Sequence, residues 1–264
     1  MITTTSSLLL TLLLTSGVAA AQTPAVIGVA GAAGATSTVS VASPTDLAGK
    51  QILSEESEWI SYRNTYRAMI WFEKYGKPKN FIQQHYRFIP KEKNVSAEHL
   101  TLSLRSRSLQ LDLPLDAYGR ASIPLMKTAY DENAELRLNR KLDAYTRQPW
   151  ISLISRPDGL YDASDLRTAC NQALDYLHYV GDTSINNKKC TGVKFTYLHT
   201  ATDVILKFKS TGQSSTWAEV TDKQGAAITN AGNYKSITYQ FAAWSQQGQI
   251  LSATAPLTID PVFE

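Results

Sequence analysis

The residues best suited to acid–base chemistry in this sequence are Asp116 and Arg120, in the segment LDAYGRAS. A carboxylate and a guanidinium so close together in a loop can form a charged pair. The same residue types suit a turn, because Asp accepts hydrogen bonds from nearby backbone N–H groups and Gly takes positive φ. A similar pattern of an Asp followed by a Gly recurs about a hundred residues later. There Asp222 and Gly225 are retained, but Ala226 stands in place of the arginine. A catalytic pair would keep both charged groups, so the pattern favours a turn between antiparallel strands.

Other catalytic signatures are missing from the sequence. It has neither the G-x-S-x-G motif of an α/β-hydrolase nor a phosphate-binding glycine loop between a strand and a helix. The carboxylates at 131–135 and 158–165 are explained by turns and helix capping. Four histidines are present: His85, His99, His178 and His199. None lies at the spacing of metal ligands, so the sequence predicts no catalytic residue, no metal site and no cofactor.

Composition narrows the class of protein further. The chain has 264 residues, with 26 basic and 23 acidic side chains and a net charge of +3. This balance argues against a nucleic-acid-binding protein, which would collect Lys and Arg on one face. With 43% hydrophobic and 19% charged residues, the chain is typical of a globular protein that has a core.

The N-terminal region predicts export. No charged side chain precedes Asp46, and the run SLLLTLLLTSGVAAAQ leads from leucines into small residues. This is the pattern of a secretory signal peptide, although a basic start is missing, and it predicts residues 1–21 as the signal. The run Leu8 to Leu14 is too short to span a bilayer, which needs ~20 apolar residues. Residues 22–50, rich in Ala, Gly, Ser and Thr, are interpreted as a flexible lead-in.

Cysteine content agrees with an oxidising compartment. Only Cys170 and Cys190 are present. Neither has a His or another Cys at ligand spacing, so a disulfide is favoured over a metal pair or a catalytic thiol. The sequence therefore predicts one disulfide and a periplasmic or extracellular location, in a protein that we take to be bacterial.

Periodicity predicts two helices and many strands. Apolar residues recur at steps of three and four from Trp59 through Met69 and Ile70, which indicates a helix ending at Gly76. A second helix is predicted from about Asp162 to Gly181, with Cys170 on its apolar side. Alternating leucines in HLTLSLRSRSLQLDLPL indicate half-buried strands. Most of the remaining segments after the first helix are also predicted to be strands.

The order of helix, strands, turn and strands occurs twice. We therefore expect an α+β fold built as a tandem repeat of two modules, residues 51–157 and 158–264. Each module is expected to be an antiparallel β-sheet or a small β-sandwich packed with one α-helix. Only the second module would hold the disulfide.

Four residues are candidates for contact with a ligand or partner. Trp217 and Trp244 lie in polar surroundings, and exposed aromatic rings can stack on sugars or anchor a protein. Arg105 and Arg107 are predicted on a solvated strand face, matched in the second module by Lys207 and Lys209, where they could meet an acidic envelope polymer. Core packing for the tryptophans and plain solvation for the cations are the simpler alternatives.

These features favour an exported, non-enzymatic protein that binds another protein or a cell-envelope polymer. The alternatives are an envelope-directed hydrolase, with a site between the two modules, and a structural or assembly factor. We expect no nucleic-acid partner, and no stable transmembrane segment in the mature chain.

Overall fold

The computed structural model describes residues 59–92, 97, 99–211, 216–220 and 226–264. The predicted signal peptide, the lead-in and the turn at Asp222 and Gly225 lie outside these residues. These described residues belong to one compact unit. No helix among the described residues is long and apolar enough to cross a membrane.

Two long helices and many short strands make up the described chain. We call residues 59–157 the N-terminal half and residues 158–264 the C-terminal half. The N-terminal half contains β1 (Trp59–Ser61), α1 (Tyr62–Lys74), β2 (Ile82–Pro90), β3 (Thr101–Arg105), β4 (Gln110–Pro114), β5 (Arg120–Ala121), α2 (Lys127–Asp131), β6 (Glu135–Leu138) and β7 (Tyr145–Leu153). The C-terminal half contains β8 (Leu160–Asp162), α3 (Ala163–Tyr179), β9 (Cys190–Leu198), β10 (Leu206–Ser210), β11 (Ala218–Glu219), β12 (Ala226–Ala231), β13 (Tyr234–Gln240), β14 (Gly248–Ser252) and β15 (Thr258–Phe263).

The strands form three antiparallel sheets, so the β-rich α+β class predicted from the sequence is confirmed. Each half has a four-stranded sheet, with strand orders β1-β6-β3-β4 and β8-β14-β10-β11. A seven-stranded sheet, β12-β13-β9-β15-β7-β2-β5, takes strands from both halves. The halves meet in that sheet where β7 pairs with β15, through Leu153 and Ile259.

The first helix begins later than the apolar period predicts. Trp59 belongs to strand β1, where it pairs with Arg137 of β6, and it is 52% exposed. The prediction that Trp59 belongs to the helix is therefore wrong, because pairing with a strand far along the chain overrides the local apolar period. Within α1, Tyr62 and Met69 are buried as expected.

The alternating leucines lie in β3 and β4, which were predicted as half-buried strands and which pair with each other as a hairpin. Leu102 and Leu104 of β3 are fully buried, while Arg105 and Arg107 are exposed. The turn of the hairpin is bound to the Glu132 carboxylate, which accepts hydrogen bonds from the side chains of Ser106 and Ser108. These bonds, with one from the Ser108 N–H, lower the pKa of Glu132 to about 2.

Helix α3 packs on the seven-stranded sheet and is covalently joined to it. Ala169, Cys170 and Ala173 are buried against this sheet. Cys170 forms a disulfide with Cys190, the first residue of β9, and their Cα atoms are 5.9 Å apart. The predicted disulfide and the inward position of Cys170 are both confirmed.

Reduction of this disulfide should destabilise the protein. A bridge between residues 20 positions apart in the sequence stabilises by about 3 kcal/mol, mainly by restricting the unfolded chain. For a chain of this size we expect dithiothreitol to lower the melting temperature by about 6–12 °C, measured by circular dichroism. The double variant Cys170→Ala, Cys190→Ala is the control and should not respond to the reductant. An unchanged melting temperature of the wild type on full reduction would contradict this role.

Candidate functional site

The LDAYGRAS segment forms a tight turn between β4 and β5. Asp116 Oδ1 accepts hydrogen bonds from the backbone N–H groups of Tyr118 and Arg120, both at 2.9 Å. Gly119 has a φ of +76°, and a Cβ atom there would collide with the Phe88 carbonyl oxygen. Only glycine fits this position.

The charged pair within the turn also exists, but its role is structural. Arg120 Nε lies 2.7 Å from Asp116 Oδ2, and the arginine is 8% exposed. The rest of the guanidinium donates hydrogen bonds to Ser152 Oγ at 3.3 Å and to the Leu257 carbonyl oxygen. An arginine stays protonated and cannot act as a base at neutral pH. Here it connects the turn with β7 and with the residue that precedes β15.

A second buried cation lies beside the turn. The Arg87 guanidinium carbon is 3.4 Å from the ring centre of Tyr118 and 4.4 Å from that of Trp150. Asp260 of β15, 3% exposed, accepts hydrogen bonds from Trp150 Nε1 at 2.9 Å and from the Tyr118 hydroxyl at 3.3 Å. Burial, with the nearby Asp260 carboxylate, raises the pKa of Tyr118. We call Arg87, Tyr118, Arg120, Trp150 and Asp260 the junction network, because they link the two halves.

An open cavity of about 330 Å³ lies at the edge of the N-terminal half. It is bounded by Met69 and Phe72 of α1, by the start of β2, and by the chain that leaves β5 at Ser122 and Ile123. His85 is the titratable ring in its lining. The Nδ1 atom of His85 is buried and has no hydrogen-bond partner among the described residues.

The environment of His85 favours the neutral ring. Burial is the largest cause of its lowered pKa, the charge of Arg120 lowers it further, and Asp116 acts in the opposite direction. Asp116 is itself bound to Arg120. The other three histidines, His99, His178 and His199, are exposed. The described residues contain no group of three His, Cys, Asp or Glu side chains that could hold a metal ion.

Trp217 and Trp244, the predicted contact residues, occupy different environments. Trp217 is half-buried next to β11, with Lys209 Nζ 5.9 Å from its ring. Trp244 is half-buried against the core, 4.8 Å from the ring of Phe208, and its indole nitrogen is buried without a partner among the described residues. Trp244 therefore contributes mainly packing.

The predicted cationic residues lie apart from both tryptophans. Arg105 and Arg107 belong to the β3–β4 hairpin of the N-terminal half, while Trp217 and Trp244 belong to the C-terminal half. Arg105 donates to Ser103 Oγ, and Arg107 lies 3.9 Å from Glu132. These residues do not form one site.

Sequence reasoning missed a surface where the C-terminal ends of α1 and α3 meet. Trp71 and Tyr179 are 48% and 45% exposed, and their rings contact each other edge to face at 6.0 Å. Val180, 40% exposed, follows in the chain. We call these three residues the aromatic surface. Trp71 does not lie on the apolar face of α1, and this position could have indicated from the sequence that it is exposed. Its contact with Tyr179 depends on the tertiary fold.

Comparison with protein-family models, curated proteins and solved structures found no match.

Removal of the carboxylate from the turn should destabilise the protein strongly. Asp116→Ala leaves the buried Arg120 guanidinium without its charged partner, which costs about 3 kcal/mol. Asp131→Ala is the matched control, because Asp131 pairs with Lys127 in an exposed i,i+4 ion pair, and such pairs contribute about 0–1 kcal/mol. Urea unfolding measures both. Equal losses in the two variants would contradict the role of Arg120.

The buried ring of His85 should make stability depend on pH. Its pKa is lower in the folded protein than the ordinary 6.5, so the unfolded chain binds the proton more readily. Stability is therefore full above pH 6.5 and falls as the pH drops through the lower folded value. We expect His85→Gln to flatten this part of the urea-unfolding profile, whereas His199→Gln at an exposed position should not. A wild-type profile that rises on acidification from pH 6.5 would show the opposite sign.

Proposed function

We propose that this chain is an exported, non-enzymatic binding protein that attaches to a protein of the cell envelope through its aromatic surface. The exposure of Trp71 and Tyr179, at 48% and 45%, supports this proposal most directly. Two large aromatic side chains in contact, both turned to solvent, gain apolar burial only when something covers them.

The aromatic surface is also held rigidly from below. Tyr75, buried beneath it, contacts the Tyr179 ring at 5.1 Å and the Tyr176 ring at 5.3 Å. Phe72 contacts Tyr176 edge to face at 5.2 Å. Rigid Trp and Tyr side chains lose little conformational entropy on binding, which is why they dominate the energetics of protein interfaces.

The composition of this surface favours a protein over an envelope polymer. Lys74 Nζ lies 5.7 Å from the Trp71 ring centre, and Tyr179 contacts the same ring in an edge-to-face arrangement. Sugar binding uses an open ring face. An aliphatic neighbour such as Val180 instead suits the apolar centre of a protein interface.

Export is proposed on two independent features. The first is the uncharged N-terminal segment with its signal-like apolar run. The second is the Cys170–Cys190 disulfide, which is typical of oxidising compartments outside the cytosol. Periplasmic and extracellular locations fit both features equally.

We further propose that the two halves are copies of one module. Their four-stranded sheets have corresponding strand orders, with β1, β6, β3 and β4 matching β8, β14, β10 and β11. In the large sheet, β2 and β9 each follow the long helix of their half and pair with its last strand, β7 or β15. The aromatic surface then lies where the helices of the two copies meet.

The alternative of an envelope-directed hydrolase has less support. Asp116 affects the pKa of His85, but the carboxylate is bound by Arg120 and by two backbone N–H groups. A general base needs a carboxylate or another acceptor free to orient it.

Photo-crosslinking tests the binding proposal. The full chain is produced in bacterial cells with p-benzoylphenylalanine at position 71, and in a second culture at position 217. We expect a discrete protein adduct from position 71 and none from position 217. The adduct should disappear when Tyr179→Ala is added, with the melting temperature lowered by no more than a few degrees.

A second measurement distinguishes a protein partner from an envelope polymer. Purified peptidoglycan sacculi are sedimented with the wild type and with the double variant Trp71→Ala, Tyr179→Ala. A protein partner predicts equal sedimentation of both chains. Retention of the wild type alone, without a crosslinked protein, would instead make the ligand a polymer.

A further inference from the structure

Strand β12 forms one end of the seven-stranded sheet. It pairs with β13 along its whole length, and no other described strand pairs with it. The remaining end strands of the three sheets are very short, namely β1, β5, β8 and β11, or carry a charge and a proline, as β4 does at Asp112 and Pro114. Such features protect an exposed edge from pairing with another chain. β12 has six residues, none of them charged and none of them proline.

The hairpin between β12 and β13 determines which backbone groups of β12 face β13. Its loop consists of the two residues Gly232 and Asn233. The flanking pair, Ala231 and Tyr234, therefore exchanges backbone hydrogen bonds. On the other side of β13, the His199 N–H donates to the Asn233 carbonyl oxygen at 2.7 Å. Because residues of a strand bond alternately to its two sides, these two observations agree.

The same alternation leaves part of the β12 backbone without a partner. Two residues before Ala231, Thr229 again bonds to β13, whereas the N–H and C=O groups of Ile228 and Asn230 point away from that strand. No described backbone group bonds to these outward groups. They form an open edge on which another strand can pair.

A row of apolar side chains crosses the seven-stranded sheet and reaches this edge. The strand registers place one residue from each of six strands side by side on one face: Ile228, Ile237, Phe195, Ile259, Leu153 and Ile82. The last five are at most 3% exposed, but Ile228 is 51% exposed. The core row therefore ends at an isoleucine that gains full burial only if the sheet continues beyond β12.

We propose that β12 is a self-association site, at which two copies of the chain pair edge to edge and join their large sheets. The two strands run antiparallel about a two-fold axis. The register centred on Ile228 pairs the largest number of outward-facing residues. It places Ile228 opposite Ile228 of the second copy and Ala226 opposite Asn230. The two isoleucines then cover each other, and the apolar row runs through both copies.

A second copy fits this edge for three reasons. β12 carries no charged side chain, so two copies meet there without repulsion. The exposed Ile228 of each copy supplies the apolar cover that the other lacks. Pairing about a two-fold axis uses the free edges of both copies, so that association ends at a dimer. The site belongs to the C-terminal half alone and does not depend on the aromatic surface.

Sedimentation velocity of the full chain tests the association. The wild type should show a concentration-dependent equilibrium between one chain and two. Ile228→Lys should weaken this association at least tenfold, because it places like charges directly opposite each other. Ile154→Lys is the matched control, since Ile154 is 42% exposed and lies outside β12, and it should leave the association unchanged. Melting temperatures confirm that both variants are folded.

Cysteine crosslinking tests the register. Under mild oxidation, Ile228→Cys should form a disulfide-linked dimer, because Cα atoms in a directly opposed bonded pair are about 5.5 Å apart, within reach of a disulfide. Asn230→Cys, exposed on the same edge, is the control. Its counterpart in the second copy lies four residues further along the strand, roughly 13 Å away. The two native cysteines are bonded to each other and do not compete.

A proline variant tests the backbone pairing. Asn230→Pro removes one outward N–H group and is tolerated at an edge strand. It should weaken dimerisation at least tenfold and change the melting temperature by no more than a few degrees. Asn230→Ala, which keeps the N–H group, should dimerise like the wild type.

Several results would overturn the proposal. They are a wild type that stays monomeric at millimolar concentration, a dimer that survives Ile228→Lys or Asn230→Pro, and equal crosslinking of the two cysteine variants. A disulfide between Ile228→Cys and a different protein in cells would make the occupant a strand of that protein instead of a second copy. None of these measurements involves position 71, so self-association and binding through the aromatic surface are judged separately.

Discussion

The guanidinium of Arg120 contacts three separate parts of the chain at the joint between the halves. It binds Asp116 in its own turn, Ser152 in β7 and the carbonyl oxygen of Leu257 just before β15. The strands β7 and β15 themselves pair around one position, so strand pairing alone holds the joint weakly. Because this cation is only 8% exposed, removal of its charged partner leaves a buried charge uncompensated and destabilises the fold. The continuity of the large sheet therefore depends on this residue and on the neighbouring Arg87 and Asp260.

This joint fixes the relation between the two long helices. Both pack on the large sheet, and their C-terminal ends come into contact through Phe72, Trp71, Tyr176 and Tyr179. A shift between the halves would separate these rings. The junction network on one part of the sheet and the aromatic surface on another therefore both depend on the arrangement of the two halves.

Local patterns predicted those parts of the structure that depend on near neighbours. The alternating leucines of β3 and the apolar face of α3 are buried where the period places them, because one buried face forces that spacing, whereas Leu111 of β4 is exposed. The turn at Asp116 follows from its own hydrogen bonds. Trp59 was misplaced because its pairing with Arg137 lies far along the chain. Trp244 lies in a polar segment and is half-buried, with its ring packed against those of Phe208 and Tyr239.

The sequence by itself determined the β-rich class, the two helices, the disulfide and the turn, since each depends on spacing, composition or the small number of cysteines. Tertiary structure alone decided how the turn is used. Tyr118 reaches Asp260 across 142 residues of sequence, and Arg120 reaches Leu257 across 137. It also decided that Trp71 meets Tyr179. Such contacts join residues whose separation along the chain has no period, so no local pattern encodes them.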